Sequence, residues 1–590
     1  MISTRLQRLL ISLTPHSYSR QIIVWFSLSL IFATLYSGLG LQEAFSHKYI
    51  VQDDARQHVF WMQRFLDSDL FSDDLIANYF QSVAPIGYTT IYKIAAVFGI
   101  NPLIFNKLLP LILGAIATCY CFGICLQLLP VPIAGFIASL LLNQSLWMKD
   151  DLISATPRAF VYPLFLAFLY YLLQRSILLC LVAIALLGLF YPQYVLICVG
   201  ILILQFFDNG NKPISHSHYR QDYLLFRLGL GMSIAVILFY ALTQGEFEPV
   251  ITATQANALP EFWAKGRSAF FRNNPLTFFL LGERSGLLNV GFVRPGTLTL
   301  GLLLPILSRF PNQFPLVKQI STRIRLLLHL LLVSLGMFLA AHALLFKLHL
   351  PSRYTEHSFR ILLALSAGIV LTLILDALLK RGSVQPGENV PNNFQFIQVI
   401  TVVSTVLIAA LVILYPCFVE NFPLTKYKIG HYPALYQFFQ EQPQNSLIAS
   451  SAEEANNLPI FAQRSILVGR EYAIPYHWGY YRQFRQRTID LIQAQYSPNL
   501  AQVKDFIQRY GIDLWLLENK ALTLKYLTKN EWLKQYQPAT EEALTRLRDG
   551  SYPALLGVVK DCSVFKTKGF IVLQTSCILE KSEEEIINRK

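Results

Sequence analysis

Residues 47–70 read HKYIVQDDARQHVFWMQRFLDSDL. They follow directly on a long apolar run. Two adjacent acids, Asp53 and Asp54, come before Arg56 and then the aromatic pair Phe60 and Trp61. Charge placed just beyond a run long enough to cross a bilayer sits at the height of the lipid headgroups. The bland reading is a solvated turn, because loops between spans need polar residues. Three features argue for more. The acidic pair is held between an apolar run and an aromatic segment, Phe60, Trp61 and Phe65, that suits the membrane interface. Arg56 is close enough in sequence to orient a carboxylate. A second acidic pair recurs in WMKDDLISATPRAF, residues 147–160, where Asp150 and Asp151 precede Arg158.

The rest of the chain places these motifs on a membrane protein. Of 590 residues, 54% are hydrophobic and 14% charged, with a mean hydropathy of +0.42. Soluble domains carry roughly 25% charged residues. Apolar runs predict about eleven membrane helices, near 21–41, 103–128, 132–148, 159–174, 176–190, 192–207, 224–243, 287–307, 325–348, 358–379 and 396–416. The basic start, MISTRLQRLLISLTPHSYSR, leads into a run longer than a cleaved signal core, so a retained first helix is expected. IGYTTIYKIAAVFGI, residues 86–100, is short and amphipathic and reads as an interfacial or re-entrant helix.

The net charge of +13 is read through the loops, and nucleic acid is not an expected partner. With a cytoplasmic N-terminus, alternate counting puts Arg5, Arg8, Arg20, Arg175, Lys212, Arg220, Arg309, Lys318, Arg323, Arg325, Lys380 and Arg381 inside, as the positive-inside bias requires. Lys265, Arg267, Arg272 and Arg284 are an exception in the outer loop 244–286, where they could hold an anionic ligand. Loops 42–102, 149–158, 244–286 and 349–357 then share the outer face with everything after 416. The chain divides into a membrane domain, 1–416, and an extracytoplasmic domain, 417–590. In the latter, NSLIAS, SILVG, IDLWLLE, CSVFKTK and FIVLQTS read as strands. YPALYQFFQEQ and LAQVKDFIQRYG read as helices, the second ending at Gly511. The fold class is therefore a polytopic α-helical membrane protein with a C-terminal soluble α/β domain. Cys562 and Cys577 flank a hairpin there and could form a disulfide on an oxidising side. Cys119, Cys121 and Cys125 lie in an apolar run and read as small buried hydrophobes.

A third charged segment is LPSRYTEHSFR, residues 350–360, where Arg353, Glu356, His357 and Arg360 fall on adjoining helical faces. Anchoring of a helix end is its plain reading, as an ordinary polar cap is for Asp150–Asp151 before Thr156-Pro157. Together the three segments suit one chemistry. A carboxylate at the lipid surface can take the proton of an acceptor hydroxyl. A sugar carried on a lipid phosphate has an anionic leaving group that needs positive charge, not a general acid. Arginine suits phosphate because its planar fork donates parallel hydrogen bonds.

The arrangement resembles the GT-C class of integral-membrane glycosyltransferases, which includes protein O-mannosyltransferases, lipid A aminoarabinose transferases and the catalytic subunit of oligosaccharyltransferase. Their shared pattern is a first helix followed by a large outer loop that opens on an acidic pair, commonly Asp-Glu, a small residue and Arg-Tyr. In DDARQH, Asp53 matches the Asp, Asp54 replaces Glu and Gln57 replaces Tyr. The resemblance implies Asp53 as base with Asp54 beside it, and a polyprenyl-phosphate sugar donor held by Arg56, Arg158, Arg353 and Arg360. It implies an inverting transfer to a glycan, lipid or protein acceptor. It also suggests Asp150 and Asp151 as ligands of a divalent cation, magnesium or manganese, although branches of the class work without metal. The expected setting is a bacterial plasma membrane. The competing readings are a transporter or flippase, disfavoured by the scarcity of mid-span charges and of internal symmetry, and a non-catalytic assembly protein for envelope glycans. REYAIPYHWGYYRQF, residues 470–484, reads as an aromatic core facing the membrane, and Glu283–Arg284 as a surface ion pair.

Overall fold

A computed structural model describes residues 15–210, 216–243, 245–288, 294–382 and 394–582, together with Gln7. Arg5, Arg8 and Lys212 of the basic set lie outside the described residues. Ten of the predicted apolar runs are α-helical: Pro15–Ala44, Pro102–Leu128, Pro132–Trp147, Val161–Gln174, Ile177–Phe190, Gln193–Gly210, His216–Leu242, Arg325–Ala343, Ser352–Arg381 and Phe394–Leu414. The run expected over 287–307 differs. Its described part is a 3-10 stretch, Gly296–Leu303, continued by one α turn, Leu304–Leu307. Gly301 explains part of this, because a Cβ there would lie 2.9 Å from the Leu363 carbonyl oxygen. The segment is pressed against the backbone of a neighbouring helix.

Among the described residues, six helices are long and apolar enough to cross a membrane, against the eleven expected: Tyr18–Ala44, Pro102–Leu128, Arg220–Leu242, Thr322–Ala343, Ser352–Arg381 and Gln395–Phe418. The shortfall is one of length. Pro132–Trp147 has 16 residues and Val161–Gln174 has 14. At ~1.5 Å per residue they reach only about 24 and 21 Å, short of a ~30 Å hydrocarbon core. Every residue of Pro132–Trp147 is buried, so protein rather than lipid surrounds it.

Ser352–Arg381 is the central helix, buried over most of its length. It meets Pro132–Trp147 so closely that a Cβ on Gly368 would lie 2.6 Å from the Cβ of Ala138. Small residues at such crossings let backbones approach, which is how helices associate where water gives no hydrophobic drive. Around this core, Pro15–Ala44, His216–Leu242 and Phe394–Leu414 expose Ile23, Val24, Leu238, Val403, Val406 and Leu407. These are outward apolar faces that lipid would cover.

Two strands join the first loop to the C-terminal segment: β1 (Ile50–Gln52) pairs antiparallel with β2 (Tyr427–Ile429). Beyond β2, a five-stranded sheet is built from β3 (Leu447–Ala449), β4 (Ser465–Ile466), β5 (Leu514–Glu518), β6 (Ser563–Lys566) and β7 (Phe570–Gln574), in the order β4-β3-β5-β7-β6. The first three run parallel and the last two pair antiparallel. All five coincide with the strand-like segments of the sequence. The helix Leu500–Tyr510 ends at Gly511 with φ +64°, the left-handed cap that glycine adopts without strain. Cys562 and Cys577 are disulfide-bonded.

The aromatic segment 470–484 packs differently from expectation. Tyr480 stacks on Tyr79 at 3.8 Å, and the Tyr79 hydroxyl meets His477 Nδ1 at 3.0 Å. His477 also bridges to Val250. The cluster is a protein core shared by the first outer loop, loop 244–286 and the C-terminal segment. At the opposite end of the bundle, Arg175 pairs with Asp222, Arg325 with Asp208 and Lys380 with Asp376.

Candidate active site

The turn carrying Asp53 and Asp54 is fixed before any side chain of the pair is considered. β1 delivers the chain, and the Asp53 amide donates to the Lys426 carbonyl at 3.2 Å. The buried Gln52 side chain accepts from the amides of Asp54 (2.8 Å) and Ala55 (3.3 Å). The helix Ala55–His58 then begins. Both carboxylates are left part-exposed, 28% for Asp53 and 30% for Asp54.

Cations back each of them. Asp53 pairs with Arg56 and has Lys428 at 3.9 Å. Arg56 also reaches Glu471 at 3.2 Å and Asn457 at 3.1 Å. Glu471 pairs with Arg267 at 2.6 Å and takes the Gln57 amide on its carboxylate and, at 2.9 Å, on its carbonyl. The residue standing where the family pattern has Tyr therefore anchors the C-terminal segment. Arg284 donates to the carbonyl of Arg267, the partner of Glu471, at 3.3 Å.

Asp54 pairs with Arg158, which also contacts Asp150 and Asp151, each at 3.3 Å. Asp150 has Lys426 at 3.1 Å. Asp151 is fully buried and contacts Lys149 at 3.5 Å and Arg360 at 2.9 Å, with the Tyr162 hydroxyl donating at 3.3 Å. Glu356, also buried, pairs with Lys149, with Arg353 at 2.7 Å and with Arg360 at 3.7 Å. All eight predicted site residues thus fall in two adjoining ion-pair clusters joined along β2.

These neighbours set the charges. Burial pushes the Asp151 carboxyl up, but Lys149, Arg158 and Arg360 more than reverse this and hold it well below the usual range. Asp150 is likewise held low: burial raises it, and Arg158, Lys426 and Lys149 overcome burial and the adjacent Asp151. Burial lowers Lys149 well below an ordinary lysine despite Asp151. Lys426 goes the other way, since Asp150 outweighs the burial of its ammonium. Burial depresses His58 to about 4, so it is neutral at pH 7.

Placement separates the predicted arginines. Arg360 is 1% exposed, with its guanidinium on Asp151 and, at 2.9 Å, on the Tyr162 hydroxyl. Arg56 is nearly as buried. These two face carboxylates, not the surface. Lys426 and Lys428 are instead 47% and 49% exposed at the rim, the first just before β2 and the second within it. Sequence reading missed them, along with Lys149 and Glu471. Their two-residue spacing is a legible signal of a shared face, but nothing local names a partner hundreds of residues away.

Asp150 and Asp151 do not fit a magnesium or manganese site. Those ions need several free oxygen ligands, and here the carboxylate oxygens already meet Lys149, Arg158, Arg360 and Lys426. Among the described residues no group of three or more His, Cys, Asp or Glu side chains is placed to share an ion. A cavity of about 510 Å³ lies in the C-terminal segment, lined by Ser451, Arg470, Glu518 and Tyr526 among others. The Arg470–Tyr472 turn, which carries Glu471, connects it to the acidic cluster.

No family model matches the sequence, and no curated protein does. Solved structures are similar in fold. The apo oligosaccharyltransferase of Archaeoglobus fulgidus superposes with a TM-score of 0.54 at 12% identity, over 88% of this chain and 72% of that one. The same enzyme, AglB, in complex with an inhibitory peptide and a dolichol-phosphate gives 0.52 at 12% identity, over 88% and 72%. ArnT from Cupriavidus metallidurans bound to undecaprenyl phosphate gives 0.46 at 12% identity, over 95% and 99%. At such identities the likeness speaks to fold alone, and the chain has the fold of the GT-C integral-membrane glycosyltransferases.

Proposed function

We propose that the chain is a glycosyltransferase that moves a sugar from a polyprenyl-phosphate-linked donor to a glycan, lipid or protein acceptor. The observation that carries this is the pair of part-exposed carboxylates on a rigid turn, ringed by Arg158, Lys426 and Lys428. Asp53 takes the acceptor hydroxyl proton. The freed oxygen attacks the anomeric carbon from the face opposite the phosphate. The bond from that carbon to the phosphate oxygen breaks, polyprenyl phosphate leaves, and the anomeric centre is inverted. Arg158 and Arg353, with Lys426 and Lys428, meet the developing phosphate charge. Arg56 and Arg360 act as positioning residues through Asp53 and Asp151. AglB, with the same fold, is solved with a dolichol-phosphate, the chemical class of leaving group assigned here.

The proposed setting is a bacterial plasma membrane, with a membrane domain over 1–416 and an extracytoplasmic α/β domain over 417–590. One observation supports it. The Cys562–Cys577 disulfide suits an oxidising compartment. A transporter would place ionisable groups at mid-span along a pathway; here Asp53, Asp54, Asp150 and Asp151 sit in loops beyond the helix ends.

The test reconstitutes the protein in vesicles with undecaprenyl-phosphate-linked sugars and a membrane acceptor fraction, and measures release of undecaprenyl phosphate. Asp53→Asn should lower turnover ~100-fold or more, the scale of a lost general base, while undecaprenyl phosphate still binds. Undiminished turnover would remove Asp53 as the base.

A further inference from the structure

The cluster around Arg158 and Lys149 holds four carboxylates, Asp54, Asp150, Asp151 and Glu356, and five basic groups, Lys149, Arg158, Arg353, Arg360 and Lys426. Converging carboxylates of this kind ordinarily draw in a divalent ion. Here one side chain stands between them. Lys149 leaves the helix end at Trp147 and reaches both Asp151 and Glu356, two acids from separate helix junctions that are themselves buried. Glu356 Oε1 and Asp151 Oδ1 have no hydrogen-bond donor. Their basic partners are Lys149 for the first and Arg158, at 3.3 Å, for the second.

We infer that the Lys149 amine occupies the position a divalent cation would take between Asp151 and Glu356, so that this site is filled by the chain's own basic side chains and binds no metal. Three further contacts point the same way. Arg158 ties Asp54 to Asp150 and Asp151, the bridging role a shared ion would have. Arg360 occupies the inner side of Asp151, and Lys426 the outer side of Asp150. An added divalent ion would bring two more charges into a cluster that already carries one basic group in excess, and would have to displace an ammonium or guanidinium to reach any oxygen. Fixed cations also need no reorganisation when a phosphate charge develops nearby. That last consequence rests on the proposed sugar transfer; the occupancy of the position by Lys149 does not.

The test uses Mn²⁺ alone, read by its electron paramagnetic resonance signal, on the full-length protein in neutral-lipid nanodiscs after chelation and dialysis. The wild-type protein should leave the free Mn²⁺ signal unchanged at millimolar concentration. Lys149→Gln removes the amine and should gain about one Mn²⁺ per chain, a gain that Asp151→Asn in the same background reverses. One Mn²⁺ bound by the wild type and lost in Asp151→Asn would overturn the inference. So would a Lys149→Gln protein that elutes as a folded monodisperse species and gains no ion. Neither readout depends on sugar transfer, so a failure here is distinguishable from a failure of the proposed function.

Discussion

Arg360 offers the sharpest check on how the site is held. It lies eight residues into the Ser352–Arg381 helix, about 12 Å along its axis at ~1.5 Å per residue, and is 1% exposed. A guanidinium there is tolerated only because Asp151, the Tyr162 hydroxyl and Glu356 meet it at 2.9, 2.9 and 3.7 Å. Arg360→Met keeps most of the side-chain length and removes the charge. A unit pair near 4 Å is worth ~4 kcal/mol at an effective dielectric of ~20, and breaking a buried pair from one side costs about 3–5 kcal/mol. Lys149 and Arg158 still neutralise Asp151, so the lower end of that range is expected, about 3 kcal/mol. Asp151→Asn alone should cost a similar amount, because it strands Arg360. The double variant removes both charges and should lose clearly less than the sum, with a coupling of ~2 kcal/mol, inside the range for residues in one network. The assay is equilibrium unfolding in mixed micelles, followed by tryptophan fluorescence, across all four members of the cycle. Additivity within ~0.5 kcal/mol, the behaviour of independent sites, would refute the claim that Arg360 is held by Asp151.

Two further outcomes follow from the rim and from the buried histidine. Lys426→Gln with Lys428→Gln should weaken undecaprenyl phosphate binding about tenfold, ~1.4 kcal/mol, measured by microscale thermophoresis; an unchanged Kd would remove β2 from the phosphate site. For His58, burial lowers the folded pKa to about 4, against ~6.5 in the unfolded chain. Between those values the unfolded state binds a proton that the folded state refuses, so stability rises with pH through that window and levels off above it, with a slope of at most ~1.4 kcal/mol per pH unit. His58→Gln should abolish that slope in unfolding midpoints taken from about pH 4 to about pH 7; identical slopes in the two proteins would show that His58 is not the group responsible.

The helices, the strands and most of the site could be read from local pattern. Asp53, Asp54, Asp150, Asp151 and Arg158 stand out because charges crowd beside apolar runs, and a topological count alone brings their loops to one face. The strands of the C-terminal sheet were equally plain, each a short apolar run bounded by turn residues. Burial was not legible. Arg353 and Arg360 look equivalent in LPSRYTEHSFR, yet two helical turns separate a part-exposed guanidinium from one sealed against Asp151. Nor was span length: Pro132–Trp147 is apolar enough to resemble a crossing, and only its complete burial shows that its neighbours are protein. The aromatic segment 470–484 was legible as an aromatic core, but its packing partners were not. Tyr79 and His477 meet across 398 residues, and no local pattern names so distant a partner.

The long-range contacts carry a consequence for how the site comes into being. Asp53 and Asp54 lie in the loop after the first helix, but what holds their turn and its cations arrives from elsewhere in the chain. β2 and the residue before it supply the Lys426 carbonyl that takes the Asp53 amide, and the ammonium groups beside Asp150 and Asp53. Glu471 supplies the second anchor of Arg56, and is itself steadied by Arg267 from a third segment. Gln57 is spent on Glu471 rather than on a ligand. The acidic motif is therefore only half of a site whose other half is written more than 370 residues later. A short motif with two departures from the pattern it resembles can keep its geometry if a replacement finds a new partner, and here Gln57 finds Glu471. The Gln57 side chain thus ties the loop to the C-terminal segment while leaving the two carboxylates part-exposed, where the proposed chemistry needs them.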